Sequence, residues 1–293
     1  MPGSAAAVTV GYVHENDVAY SWHKSYLNLI LHDLTTSQHI AKGGFIAMRC
    51  GTDGLPASRN ATVAQFLATD ADWLFWVDTD MGFGPRIVDE LLAAADAQER
   101  PIMGALCFAQ REMAPDGVGG YHCKAAPTIY DLARGVDKAG VAKFGLVARQ
   151  AYDLDAVTRC DATGSAAILI HRSVFERIRE RYGPTWYNRA PDGDPGPDGV
   201  VVMMGEDLSF CMRAGTLNIP VHVHTGVKTT HLKNVWLAED DYRDQFLLAQ
   251  VKAAQAQLAA EERTWSPGDP AVLPDVDEAS YPADAVPLEA AHL

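Results

Sequence analysis

The chain has few cysteines and no long hydrophobic run, and both absences limit its class. Five cysteines are scattered along 293 residues with no CxxC pair. This pattern indicates reduced thiols and argues against a disulfide or zinc framework. No stretch approaches the roughly 18 uninterrupted apolar residues of a membrane span, and the first residues lack the basic and apolar regions of a signal peptide. We therefore expect a cytoplasmic protein with no membrane span.

Basic residues are also scarce. Lys and Arg total 24 against 38 Asp and Glu, which gives a formal net charge of -14. An acidic surface repels polyanions, so generic binding to nucleic acid or to anionic membranes is disfavoured. A local basic groove, or an acidic cleft that holds a metal, stays compatible with this charge.

Short apolar segments alternate with segments of helical periodicity. Trp73–Val77 is continuously apolar and short, as expected of a strand buried on both faces of a mainly parallel sheet. Further strands are predicted at Val8–Val13, Gly44–Met48, Ile102–Cys107, Ser165–Ile170 and Pro220–Val223. Helices are predicted at Ser21–Leu34, 57–68, 84–95, 173–181 and Glu206–Leu217. The alternation predicts an α/β sandwich whose active site lies beyond the carboxyl ends of the strands.

The pattern also suggests how the chain is divided. Residues 1–235 are predicted to form one large domain, and 236–260 a long amphipathic helix that packs on it. Residues 261–293 form a Pro-rich acidic tail that we expect to be disordered. Two irregular stretches are predicted to be mainly loops, 109–143 with one or two short strands and 189–199 with none.

Two carboxylates follow the buried strand directly. Asp78 and Asp80, separated by Thr79, stand where the predicted strand ends. Such a pair can share one Mg²⁺ or Mn²⁺ and leave positions open for substrate phosphates. The simpler interpretation is a turn, because Asp residues commonly end strands and bind nearby backbone.

Arg59 and Asn60 lie in the helix that precedes this strand. Both could face the same cleft, with Arg59 towards phosphate and Asn60 towards sugar or base. The alternative is a surface arginine and an asparagine that caps the helix start.

A second acidic pair, Glu206 and Asp207, begins a later helix. Carboxylates in a first turn favour the helix dipole, which is sufficient to explain them. The functional interpretation is a general base that removes a proton from an acceptor hydroxyl.

His231 follows a strand-like segment late in the predicted domain. Its imidazole could complete an octahedron with carboxylate, water and phosphate, and would favour Mn²⁺. His222 and His224 share one strand face and form an alternative metal site, although no third ligand stands at suitable spacing.

The order and spacing of these features resemble those of GT-A-type, family-2-like nucleotide-sugar glycosyltransferases. The shared features are an opening strand, an Arg-Asn helix, the DxD motif, a Gly-Ser strand at Gly164-Ser165, a Glu-Asp helix and a late histidine. The resemblance spans roughly Val8 to Leu232. It implies a GT-A fold, a Rossmann-like α/β/α sandwich with a mainly parallel central sheet, as the catalytic domain over 1–235.

The resemblance also implies a role for each matching residue. Mn²⁺, or Mg²⁺, would bind to Asp78, Asp80 and His231. A nucleotide-sugar donor, by default a UDP-sugar, would contact Tyr12, Asp53, Arg59, Asn60, Asp78 and Thr79. The general base would be Asp207 or, second in order, Glu206, and Gly164 and Ser165 would line the acceptor side. The first strand departs from the family pattern at Tyr12, so the contacts to the nucleobase are the least determined.

Several alternatives stay open. A haloacid-dehalogenase-like phosphatase also uses DxD, but it requires Thr or Val where Gly82 stands. A sugar nucleotidyltransferase would carry a Gly-rich basic loop after the first strand, and residues 12–20 contain no Gly, Lys or Arg. A nucleotide-sugar- or glycan-binding module without turnover is compatible with every feature. The acceptor could be a protein, a glycan, a small molecule or a modified base, and the stereochemistry and oligomeric state are not readable.

Overall fold

The computed structural model describes residues 6–115, 121–136, 142–191, 203–234, 250 and 252–257. The chain divides into two compact units, Met1–Trp236 and Leu237–Leu293. In the second unit, residues 250 and 252–257 are helical, while the rest of the predicted helix 236–260 and the tail 261–293 lie outside the described residues. Within the described residues, no helix has the length and apolar character to cross a membrane.

The first unit is built from strands that alternate with helices. The strands are β1 Val8–His14, β2 Phe45–Arg49, β3 Trp73–Val77, β4 Met81–Phe83, β5 Ile102–Leu106, β6 Phe108–Pro115, β7 Tyr121–Pro127, β8 Ile129–Val136, β9 Ala142–Ala148, β10 Val157–Cys160, β11 Ala162–Thr163, β12 Ala167–His171, β13 Ala190–Pro191, β14 Met203–Met204 and β15 Val221–His231. The helices are α1 Tyr20–Thr35, α2 His39–Gly43, α3 Gly54–Leu67, α4 Ile87–Ala94, α5 Arg172–Tyr182 and α6 Glu206–Thr216.

The central sheet has the order β10-β15-β5-β12-β3-β1-β2, with β4 attached to β15. Strand β1 is parallel to β2 and β3, and β5 is parallel to β15. Strand β12 runs antiparallel between β3 and β5, and β10 is antiparallel to β15. Five of these seven strands therefore share one direction. This confirms the predicted fold class, a Rossmann-like α/β sandwich with a mainly parallel sheet of the kind expected for a GT-A-type chain.

Strand β3 explains why the sheet is buried on both faces. All five of its residues are buried, and alternation sends Leu74 and Trp76 to one core cluster but Phe75 and Val77 to the other. Each such side chain contributes about 1.5–3 kcal/mol when it is fully buried. The predicted strand at 73–77 is confirmed residue for residue because this apolar run has no amphipathic alternative.

The structure differs from three expectations, which concern the stretch 109–143, the last strand and the stretch 189–199. The stretch 109–143 contains mostly strand, because β6 pairs with β7 and β8 with β9 as antiparallel hairpins outside the central sheet. The last strand, predicted at 220–223, continues to His231 with buried residues alternating along it. In the predicted loop 189–199, residues 190–191 pair with Met203–Met204, and residues 192–199 lie outside the described residues.

The short strand β4 brings the DxD motif to the late histidine. It runs antiparallel to the end of β15, so that Met81 lies opposite His231 and Gly82 opposite Thr230. The amide of Leu232 donates to the carbonyl of Asp80 at 2.9 Å. A Cβ atom at position 82 would collide with Oγ1 of Thr230. Glycine suits this position because a Cβ atom would displace the side chains of Thr230 and Ser21 that pack over it.

We expect Gly82→Ala to destabilise the protein by about 1–3 kcal/mol, the usual cost of overpacking a close contact, because its Cβ atom would meet Oγ1 of Thr230 and Cβ of Ser21. The measurement is the free energy of unfolding from urea denaturation. Gly84→Ala is the matched control, since a Cβ atom there meets nothing within 4 Å. Equal stability of the two variants would contradict the assigned role of β4.

Candidate active site

A cleft of about 470 Å³ opens at the carboxyl ends of β1, β2 and β3. Strand β1 lies between β2 and β3, so the winding of the chain changes direction there, and open α/β sheets bind ligands at such points. The cleft is lined by Val13, His14, Glu15, Asp17, Cys50, Leu55, Asp78, Thr79, Asp80, His231 and Lys233. The predicted position of the site, beyond the strand ends, therefore coincides with a real cavity.

The Asp80 carboxylate contacts two other side chains, those of His231 and Lys233. Its Oδ2 atom lies 3.0 Å from Nε2 of His231 and accepts a hydrogen bond of 2.8 Å from Nζ of Lys233. Burial raises the pKa of Asp80, but these two partners outweigh burial and hold the pKa at about 2. Nδ1 of His231 donates to the carbonyl of Phe108 at 2.7 Å, which fixes the ring with Nε2 towards the carboxylate.

The pair of Asp80 and His231 fits a divalent cation once Nε2 of His231 has lost the proton that it donates to Asp80, because a ligand nitrogen carries no hydrogen. Two ligands at right angles and about 2.1 Å from an octahedral ion lie about 3 Å apart, and Oδ2 and Nε2 are 3.0 Å apart. Metal-bound histidines typically donate their other nitrogen to a carbonyl or carboxylate, as His231 does. Within the part of the chain that the structure describes, no three His, Cys, Asp or Glu side chains gather closely enough to hold a metal alone. Asp78, the third predicted ligand, is instead ion-paired with Arg59 through Oδ1. A cation at Asp80 and His231 would therefore take its remaining ligands from a bound molecule and water.

Arg59 lies in a different place from the one predicted. Its side chain is only 2% exposed, and Nη2 donates to Oδ1 of Asp78 at 2.7 Å. Nε lies 3.6 Å from Oε1 of Glu206, and the guanidinium faces the rings of Trp76 and Tyr187 at 5.0 and 5.7 Å. The expectation that Arg59 points at phosphate is corrected, because this residue is a buried counter-ion that links Asp78 to Glu206.

Asn60 supports the protein backbone instead of a ligand. Its Oδ1 accepts hydrogen bonds from the amides of Trp186 and Tyr187 at 2.9 and 2.8 Å. Its Nδ2 donates to the carbonyl of Tyr187 at 2.7 Å. These bonds occupy both polar atoms of the side chain, so the predicted contact with sugar or base is replaced by a role in anchoring residues 186–187.

Asp207 stands at the start of α6 with its carboxylate in a confined space. Oδ1 accepts a hydrogen bond from the amide of Leu208 at 2.7 Å. A Cβ atom at Gly205 would lie 3.0 Å from Oδ1, and one at Gly164 would lie 3.4 Å from Oδ2. Burial, and then the nearby charge of Glu206, raise the pKa of Asp207 against the opposing effects of Leu208 and Arg59. A carboxyl group with a raised pKa is better matched to proton transfer near neutral pH.

The other predicted residues divide between the cleft and its surroundings. Thr79 lines the cleft with Asp78. Asp53 is exposed and lies in sequence between two residues of the cleft wall, Cys50 and Leu55. Ser165 is 1% exposed, so its side chain cannot reach an acceptor in this conformation, whereas Gly164 does border Asp207.

The Tyr12 ring packs away from the cleft. It contacts the rings of Trp22 and Tyr26 at 5.0 and 5.6 Å, and it is absent from the described cleft wall. The next residues, His14, Glu15 and Asp17, line the cleft instead. Of the two predicted contributors, Tyr12 and the loop after its strand, only the loop residues Glu15 and Asp17 line the cleft.

The alternative histidine pair gains no support. His222 and His224 lie on one face of β15, but burial lowers the pKa of His222 and the charges of Arg100 and Arg159 lower it further. Nδ1 of His224 accepts a hydrogen bond from the amide of Gly226. Two nearby arginines make this face unfavourable for a cation.

Sequence reasoning missed two contributors to the site. Lys233 stands two residues after His231, the last residue of β15. A lysine so close in sequence to a candidate metal ligand could have indicated that it belongs to the site. Tyr187 carried no signal, because its ring reaches Arg59 only through long-range folding.

The sequence matches no protein-family model and no curated protein. Among solved structures, it is similar to the crystal structure of A197 from STIV, with a TM-score of 0.41 and 11% identity over 78% of this chain and 86% of that one. It is also similar to the crystal structure of GalNAc-T7 with UDP, GalNAc and Mn²⁺, with a TM-score of 0.47 and 12% identity. That match covers 80% of this chain and 45% of that one, so the chain spans less than half of that protein. At these TM-scores and identities, the two similarities assign neither a family nor an activity to this chain.

We expect Arg59→Met to destabilise the protein by about 1–3 kcal/mol, because Asp78 and Glu206, whose side chains are 30% and 14% exposed, lose their shared cation. The matched control is Arg86→Met. Arg86 is 69% exposed and pairs with Glu90 at 3.0 Å, and such surface pairs contribute about 0–1 kcal/mol. The measurement is the free energy of unfolding at neutral pH. A loss for Arg59→Met as small as that of the control would contradict the buried counter-ion role.

Proposed function

We propose that this protein is a metal-dependent glycosyltransferase that moves a sugar from a nucleotide-diphosphate sugar to an acceptor hydroxyl. The observation that carries the proposal is the convergence of Asp80 and His231, 151 residues apart in sequence and 3.0 Å apart in space. They meet on the wall of a cleft at the carboxyl ends of parallel strands. This combination of a two-residue cation site with an open cleft suits a ligand that brings its own phosphate oxygens.

The cleft supports a donor that lies along it. One end is formed by His14 at the end of β1, by Glu15 and Asp17 in the loop after it, and by Cys50 and Leu55. The other end carries Asp80, His231 and Lys233. We infer that the nucleoside lies at the first end and the diphosphate at the second, and UDP is the default nucleotide from the sequence resemblance.

The protein residues divide the work of sugar transfer. A divalent cation bound at Asp80 and His231 would supply charge neutralisation for the departing diphosphate. Arg59 holds Asp78 at the cleft wall through its 2.7 Å ion pair, and the carbonyl of Phe108 holds the His231 ring. These fixed partners keep the site organised before the ligand binds, which is how such sites lower a barrier.

Asp207 is the candidate general base. Its carboxylate borders Gly164, where the absence of a side chain leaves Oδ2 uncovered on that side. In its ionised form it would take the hydroxyl proton as the oxygen attacks the sugar. Glu206 is the weaker candidate because its carboxylate lies 3.6 Å from Nε of Arg59 and serves that ion pair.

The first test is Mn²⁺-dependent release of nucleoside diphosphate from a panel of nucleotide sugars, with and without EDTA. We expect Asp80→Asn to lower the metal-dependent rate by about 100-fold or more, since one charged ligand of the cation is lost. The matched control is Asp155→Asn. Asp155 also pairs with a lysine, Lys228 at 3.2 Å, but it lies outside the described cleft wall, so its variant should keep full activity.

The outcomes separate the alternatives. Saturable binding of a nucleotide sugar without turnover would contradict the proposed enzyme activity and indicate a binding module. Formation of a nucleotide sugar from a sugar phosphate and a nucleoside triphosphate would indicate a nucleotidyltransferase. Near-normal activity of Asp80→Asn would remove Asp80 from the metal site.

The second test concerns the base. Because the pKa of Asp207 is raised, its proton is retained to a higher pH than in an ordinary Asp, and the wild-type rate should fall with decreasing pH above the usual carboxyl range. Asp207→Asn should keep nucleotide-sugar binding, lose about 10²–10⁴-fold in transfer and lose this acid limb. The measurements are pH–rate profiles and donor titrations. If Glu206→Gln loses the limb while Asp207→Asn retains it, Glu206 is the base.

A further inference from the structure

The ammonium group of Lys233 lies beside Asp80, where the proposed cation would place its own positive charge. Its Nζ lies 2.8 Å from Oδ2 of Asp80, the same oxygen that lies 3.0 Å from Nε2 of His231. The Lys233 and Asp80 side chains are 36% and 37% exposed, so solvent and ions reach both. A divalent ion bound to that oxygen would lie within a few ångströms of the ammonium group, where like charges repel strongly.

The geometry around Lys233 lets its side chain move while its backbone stays. The preceding residue is held because the amide of Leu232 donates to the carbonyl of Asp80 at 2.9 Å. The lysine stem is flexible, and its ammonium is a compact point charge with three donors. The ion pair can therefore open by side-chain rotation alone.

A released Lys233 would stay within the site. The residue lines both the cleft and a neighbouring groove of about 230 Å³ that includes Phe108, Gln110 and Lys124. His231 also lines both cavities. An ammonium group displaced from Asp80 thus remains next to any anion that the cation holds, and lysine is a common phosphate ligand.

We propose that Lys233 is an exchangeable counter-ion of Asp80, which a divalent cation displaces and which then binds the anion that accompanies the cation. The proposal rests on the proposed function for the identity of that anion, a nucleoside diphosphate. Binding of the cation alone has to break the Asp80–Lys233 pair without compensation. When the anion is present, Lys233 gains a new partner, so cation and anion bind with positive coupling, which is reciprocal by thermodynamic linkage.

The test measures Mn²⁺ binding directly, by the electron paramagnetic resonance signal of free Mn²⁺, with and without UDP. In the wild type, we expect UDP to tighten Mn²⁺ binding at least about tenfold, within the usual range of coupling between sites. In Lys233→Met, which keeps an apolar stem and removes the charge, Mn²⁺ alone should bind about tenfold more tightly. The coupling to UDP should fall in the same variant.

Lys228→Met is the matched control, since Lys228 also pairs with an aspartate, Asp155 at 3.2 Å, and lines neither the cleft nor the neighbouring groove. It should bind Mn²⁺ like the wild type. Unchanged Mn²⁺ affinity and unchanged coupling in Lys233→Met, with a wild type that binds both ligands, would overturn this inference alone. A wild type that binds neither Mn²⁺ nor UDP would overturn the proposed function as well.

Discussion

Three pairs of residues between β4 and the end of β15 hold the candidate site together. Strand β4 follows the DxD motif at once, and its antiparallel contact with the end of β15 places Met81 opposite His231. The carbonyl of Asp80 is itself held by the amide of Leu232. Because the two segments are far apart in sequence, no local preference could bring Asp80 to His231. The pairing of β4 with β15 is thus the constraint on which the proposed cation site depends.

Electrostatics then gives the acidic side chains different tasks. Hydrogen bonds from His231 and Lys233 hold the pKa of Asp80 at about 2, so this carboxylate stays ionised and available to a cation. Burial beside Glu206 raises the pKa of Asp207, which suits proton transfer. Environments that push the pKa values of carboxyl groups apart are how a single site separates a charged role from an acid–base role. Arg59 lies between Asp78 and Glu206 and offsets their negative charges.

The sequence predicted those parts of the fold that depend on local pattern. Strand β3 was found residue for residue because Trp73–Val77 is apolar throughout, and the α/β class followed from the alternation around it. The hairpins between 108 and 148 were missed because their strands pair with each other outside the central sheet. The inward orientation of Arg59 and Asn60 was also unreadable, since it depends on Tyr187, which is distant in sequence. The spacing of residues in a sequence can identify candidates for a site, but only packing determines which of them face the cleft.

Burial separates two kinds of ion pair within the same motif. The pair of Arg59 and Asp78 has a cation that is 2% exposed, and breaking it would leave charge in a region that water cannot compensate. The pair of Lys233 and Asp80 is more than one-third exposed on both sides, so its opening costs far less because solvent screens both charges. Asp78 is therefore held in a fixed ion pair, whereas the ion-pair partner of Asp80 can change. A site that binds and releases a charged ligand needs both, because a fixed wall preserves the geometry while an exchangeable contact permits turnover.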